Sequence, residues 1–196
     1  MGRRSDHSRK ELRELIVAEG HRQIAEVGFA RFSAREVAKR IGYAVGTIYN
    51  VFESLDGLMI AVNGRTLDLW RDYLESRLDG HEGDRLKLAV DAYFEFAIVN
   101  RQAWTALYDF RLPDDVTAPE AYQARVVAIM AIVVREVAAA LPATRQHEAE
   151  PLARSLLATV HGHCFFTING TFGLIGENDP LGAALDRVRD ALAVRH

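Results

Sequence analysis

Apolar residues recur along nearly the whole chain at three- and four-residue spacing, and no stretch alternates apolar with polar as a half-buried strand would. The pattern therefore predicts an all-α protein. A first helix is expected from about Ser8 to Val27, with Leu12, Ile16, Gly20, Ile24 and Val27 as its inward stripe. Ser8, followed three residues later by Glu11, forms a capping box. Gly20 costs about 1 kcal/mol against alanine inside a helix, and close packing against the fourth helix would account for it. Gly28 ends the helix, and Phe29 and Phe32 follow as plugs for a three-helix core.

Residues 33–52, SAREVAKRIGYAVGTIYNVF, hold two short amphipathic segments around a glycine. Val37, Ala38 and Ile41 share one helical face, and Ser33 can cap that helix. Gly42 stands where a helix often ends in a left-handed residue. The second segment, Val45 to Val51, turns Ile48 and Phe52 inward. It leaves Gly46, Thr47, Tyr49 and Asn50 outward, a small and polar surface. Helix, glycine turn and short second helix make the helix-turn-helix pattern, whose second helix enters the DNA major groove. Thr47 and Asn50 are three apart on one face and suit base edges, Tyr49 suits a phosphate oxygen, and Gly46 lets backbone approach the groove. Arg35, Lys39 and Arg40 lie on the first short helix, which would cross the phosphates. The DNA-facing candidates are Ser33, Arg35, Tyr43, Val45, Gly46, Thr47, Tyr49 and Asn50.

A fourth helix, capped by Ser54, carries Leu55, Leu58, Val62, Leu69 and Tyr73 as far as Leu78. It would tie a DNA reader at 1–53 to a helical remainder at 54–196 and serve as its lever. The loop from Asp79 to Gly83 is a candidate boundary. Further helices are expected over 85–100, 101–110, 120–141, 148–176 and 180–194, the last with Asn178-Asp179-Pro180 as cap and first-turn proline. The longest apolar run, Val126 to Val134, is too short to span a bilayer.

Charge sharpens the division. Residues 1–50 hold ten Lys/Arg against six Asp/Glu, net +4, whereas the remainder is net −7. The basic share coincides with the proposed DNA reader, as phosphate attraction requires. Arg3, Arg4 and Arg9 extend it as a basic arm. The single cysteine, Cys164, and the absence of a signal peptide suit a cytoplasmic protein.

The run Gly28-Phe29, SAREVAKRIG, GTIYNVF and a helix from Ser54 resembles the DNA-binding domain of TetR-family transcriptional regulators over about a third of the chain. Ala44 departs from the family's capping Ser or Thr, Tyr43 from a small aliphatic residue, and Leu55 from a phosphate-binding lysine. Val160-His161-Gly162 and AWTALYDF resemble the WHG-type C-terminal subclass of that family. The resemblance implies a homodimer paired through its last two long helices and an inducer pocket in the C-terminal domain.

The segment from Ala153 to Gly176 is apolar around most of its circumference and needs a covering partner. Aromatics cluster between 93 and 110. Tyr93, Phe96, Trp104, Tyr108 and His161 are the candidate residues for a small apolar ligand. His161 and His163 lie two apart on a helix and point too far apart to chelate one ion, so no metal or cofactor is expected. No motif for hydrolysis or phosphoryl transfer is present. The expectation is a non-enzymatic regulator, probing double-stranded operator DNA as a ligand-responsive repressor. A helical small-ligand carrier or interaction module is the alternative.

Overall fold

A computed structural model describes residues 7–112 and 116–193. Among the described residues ten α-helices follow one another: α1 Arg9–Val27, α2 Ala34–Arg40, α3 Val45–Phe52, α4 Leu55–Leu78, α5 Arg85–Val99, α6 Arg101–Asp109, α7 Glu120–Ala140, α8 Ala149–Ile168, α9 Thr171–Ile175 and α10 Pro180–Ala193. No strand occurs among the described residues. Arg3 and Arg4 of the basic arm lie outside the described residues, while Arg9 is the first residue of α1. The chain divides into two compact units, Met1–Asp68 with Gln102–Gln123, and Leu69–Arg101 with Ala124–His196.

In the first unit α1 begins at the expected capping box: Glu11 N–H donates to Ser8 Oγ and Ser8 N–H to the Glu11 carboxylate. Gly28 closes it at φ 76°. Ile16, Ile24, Val37, Ala38, Ile48, Phe52, Leu58 and Val62 form one buried cluster, and Phe29 and Phe32 pack against it. A Cβ on Gly20 would stand 2.8 Å from a Val62 methyl, so the glycine does admit α4. α1 also buries two polar residues that the apolar stripe does not reveal. Gln23 accepts the Ser33 N–H at 2.8 Å, and Glu19 receives Arg22 and Arg40. α6 joins this core through Ala103 and Ala106, and Asn63 Nδ2 donates to the Ala106 carbonyl.

The buried face of α4 differs from the predicted stripe. Leu58 and Val62 are buried, but Leu55 and Leu69 are exposed, and Met59, Trp70, Leu74 and Leu78 are buried instead. A long helix with apolar residues on several faces offers more than one three-four stripe. The partners, not the periodicity, choose among them.

The second unit packs α5, α8 and α10 together. Trp70 meets Tyr93 edge-on at 5.4 Å and Phe96 at 5.3 Å between ring centres. Asp84 caps α5 through the Lys87 N–H and pairs with Arg189 of α10 at 2.9 Å. The single helix expected over 148–176 is two. α8 stops at Ile168, Gly170 turns left-handed at φ 80°, and α9 runs only to a second left-handed glycine, Gly176. The Asn169 side chain accepts the Thr171 N–H at 3.1 Å, offering the backbone a turn in place of a continued helix. Asp179 caps α10, accepting the Gly182 N–H at 3.0 Å.

Candidate nucleic-acid interface and ligand cavity

The turn between α2 and α3 is a Schellman motif. Tyr43 N–H donates to the Ala38 carbonyl at 2.9 Å and Gly42 N–H to the Lys39 carbonyl, with Gly42 at φ 77°. Ser33 is spent as the α2 cap, accepting the Glu36 N–H. Ile48 and Phe52 anchor α3 in the core. Its opposite face carries exposed Gly46, Tyr49 and Asn50 and half-buried Val45 and Thr47, with Tyr49 43% exposed. No side chain caps α3, because Ala44 has none to offer. The Thr47 N–H donates to the Ala44 carbonyl at 2.9 Å, and the Val45 and Gly46 amides stand uncapped by any side chain at a positive helix end. Tyr43 is half-buried, its hydroxyl 3.0 Å from His7 Nδ1.

The basic residues of α2 divide. Arg35 is exposed and joins no ion pair among the described residues. Lys39 pairs loosely with Glu36 at 3.7 Å. Arg40, on the helix expected to cross the phosphates, is held by three carboxylates: Glu26 at 2.7 Å, and Glu36 and Glu19 at 3.3 Å. Those bonds, with Glu26 foremost, raise its pKa further. It knits α1 to α2, a role invisible in sequence because Glu26 and Glu19 lie 14 and 21 residues away.

The joint between α3 and α4 is built from backbone. Glu53 takes φ 65°, and Ser54 N–H donates to the Phe52 carbonyl at 2.7 Å across it, a tight γ-turn. Ser54 Oγ accepts the Gly57 N–H at 3.0 Å. A Cβ on Gly57 would collide with the Phe52 carbonyl oxygen.

The five ligand candidates are drawn from both units. Trp104 and Tyr108 pack edge to face in the first unit, 5.8 Å between ring centres. Tyr93, Phe96 and His161 belong to the second. There Trp70, Leu74, Val90, Val137, Leu156 and Val160 wall an apolar cavity of about 60 Å³, as traced by the centre of a water-sized sphere. Tyr93 shares that wall; Phe96 and His161 do not, although the Tyr93 hydroxyl meets His161 Nδ1 at 2.8 Å. Burial keeps the His161 pKa below its ordinary value, so the ring is neutral at pH 7. His163 instead stands 2.8 Å from the Thr159 carbonyl, turned away from His161.

The wall also holds Glu136, a residue the sequence does not single out. It is 4% exposed, and Arg85 grips it bidentately at 2.7 and 2.9 Å. Arg85, then Arg135, holds its carboxyl below the usual range against the effect of burial. The same guanidinium donates to the Leu78 and His81 carbonyls, so it also finishes the end of α4. Cys164 is fully buried, and burial lifts its thiol to about 12.

Residues 16–62 match the family model of bacterial regulatory proteins of the TetR family. Residues 86–192 match that of the tetracycline-repressor-like C-terminal domain. The chain belongs to the TetR family. This TetR-family chain is a DNA-binding transcriptional regulator. No curated protein matches it. Among solved structures it resembles a protein of unknown function from Rhodococcus sp. RHA1, with a TM-score of 0.73 and 21% identity over 97% of this chain and 98% of that one. It also resembles the multidrug binding protein EbrR complexed with imidazole, with a TM-score of 0.66 and 20% identity over 97% and 98% of the two chains. A third is the fatty acid degradation regulator FadR from Bacillus halodurans, with a TM-score of 0.63 and 14% identity over 94% and 96%. Identities this low speak for the fold alone.

Proposed function

We propose that this TetR-family regulator is a ligand-responsive repressor that binds a palindromic operator in the cytoplasm as a homodimer. The exposed polar face of α3 on a buried apolar back carries the reading. In it Thr47 and Asn50 read base edges, while Tyr49, Tyr43, Arg35 and the first-turn amides at Val45 and Gly46 hold phosphates. Ser33 serves the site by fixing the start of α2. The reader is 1–53, whose end falls at the joint between α3 and α4, and 54–196 is the regulatory and dimerisation domain, with α4 as connector.

The pairing surface is α8 with α10. α8 leaves Phe165 and Phe166 at its surface beside Ala158 and Gly162, small residues that allow a second helix close. Two-fold pairing sets two recognition helices about 34–36 Å apart, the spacing of half-sites one turn apart. A small apolar ligand in the second unit shifts the dimer toward a conformer in which the half-site spacing is lost. It does so only by its differential affinity for the two conformers. EbrR is described as multidrug binding, which agrees with an apolar ligand. Tyr93 is the ligand candidate that the cavity supports most directly; Phe96 and His161 back it from behind. Trp104 and Tyr108 act, in this reading, through the packing of α6. The chain carries out no reaction of its own.

The experiment is a mobility shift with DNA from upstream of the chain's own gene, titrated with salt. We expect a sequence-preferring shift whose affinity falls steeply with salt, and its loss in Tyr49→Ala and Thr47→Ala with the dimer intact by light scattering. A chain that shifts no DNA but binds apolar ligands is the carrier alternative.

A further inference from the structure

The cavity wall is hydrocarbon but for the Trp70 indole, Tyr93 and Glu136, and Glu136 is the one charged residue in it among the described residues. The two carboxylate oxygens differ. Oε1 accepts Arg85 Nη2 and Arg135 Nε, each at 2.9 Å, which exhausts it, and Arg135 Nη2 lies 2.8 Å away as an ion-pair contact. Oε2 accepts Arg85 Nε at 2.7 Å and, among the described residues, nothing else. A carboxylate oxygen accepts about two bonds, so Oε2 has room for one more donor.

We propose that the cavity takes an uncharged, largely hydrocarbon molecule bearing one hydrogen-bond donor, a phenol or simple alcohol, whose hydroxyl donates to Glu136 Oε2. The proposal rests on reading the second unit as ligand-binding and adds the chemical class of the ligand. The charge arithmetic sets the class. Two guanidiniums already face one carboxylate, so an ammonium guest meets a net positive cluster and must displace Arg85. A carboxylate guest sets a second negative charge beside Glu136 in an apolar wall, where like charges repel strongly. A plain hydrocarbon fills the space but leaves the remaining acceptor of a buried charge unanswered. A neutral hydroxyl answers it with no charge to desolvate.

The test is calorimetric titration of the full chain with 4-propylphenol, propylbenzene and 4-propylbenzylammonium. We expect 4-propylphenol to bind about tenfold more tightly than propylbenzene, the worth of one hydrogen bond to a charged acceptor, and the ammonium not to saturate. Glu136→Gln should cut the phenol preference below about threefold while sparing propylbenzene. Val160→Phe, which fills the cavity, should weaken both. Equal binding of phenol and hydrocarbon, tighter binding of the ammonium, or a phenol preference that survives in Val160→Phe overturns the proposal. None of these needs a change at Glu136, so they decide the matter even where that variant does not fold. The readout contains no DNA. Loss of operator binding with the phenol preference intact sinks the proposed function and spares this inference; the reverse result does the opposite.

Discussion

Gly57 shows what a single residue decides at the DNA-reading end. Its missing Cβ is the space occupied by the Phe52 carbonyl, a backbone atom that cannot rotate aside. Gly57→Ala should therefore cost about 1–3 kcal/mol of stability, the usual penalty of overpacking. It should also tilt α3 on α4, weakening operator binding beyond the loss of stability; thermal melts and mobility shifts on the same samples measure both. Gly20→Ala makes the informative contrast, because its new Cβ meets a Val62 methyl. Paired with Val62→Ala the clash is gone, and the double variant should recover part of the helix propensity that glycine forgoes, about 1 kcal/mol. The capping box at Ser8, the Schellman glycine Gly42 and the inward pair Ile48 and Phe52 were legible in sequence, since each is set by neighbours within four residues. Arg40 and Glu136 were not. Their meaning comes from their foremost partners, Glu26 for Arg40 and Arg85 for Glu136, which lie 14 and 51 residues away.

At the scale of elements, α4 is finished by a residue outside itself. Arg85 donates to the Leu78 carbonyl at 2.6 Å while gripping Glu136 of α7. Arg85→Met removes both holds but keeps an apolar stem. It should raise hydrogen exchange at the amides of Asp79 and His81, which donate to the Glu75 and Leu78 carbonyls, relative to amides in the middle of α4. If α4 is the lever of the regulator, the same variant should weaken operator binding or its response to ligand. Unchanged exchange would show that the helix end is held without Arg85. The break between α8 and α9 carries a related lesson. The apolar pattern continues across Asn169 and Gly170, so periodicity reads one helix, and the left-handed glycine is what ends it.

At the scale of the whole molecule, acid should act in two windows. Burial lowers the pKa of His21, aided by Arg65, and of His161. Each is neutral when folded, whereas the unfolded chain takes up protons below about pH 6.5. The stability they contribute is complete above that pH and is lost as pH falls from it. Glu136 and Asp84, whose pKa values are lowered by Arg85 and by the Lys87 amide, act further down. Their contribution is lost only as pH falls through and below the ordinary carboxylate range. Melting temperatures from pH 8 to 3.5 should thus decline in two stages. The first should be shallower in His161→Gln, and a first stage of unchanged slope would count against the buried imidazole.

Sequence alone determined the helical class, most of the helices, the turn between α2 and α3 and the basic character of the reader. Helical periodicity, caps and glycine conformations are local, and charge simply adds along the chain. Tertiary structure decided which face of α4 is buried, that α6 completes the first core, that Arg40 serves the fold, and that the five aromatic and histidine candidates divide between two units. It also set a gripped carboxylate in an apolar wall. Each of these depends on which distant side chains meet, and such meetings leave no trace in the spacing of residues along a chain.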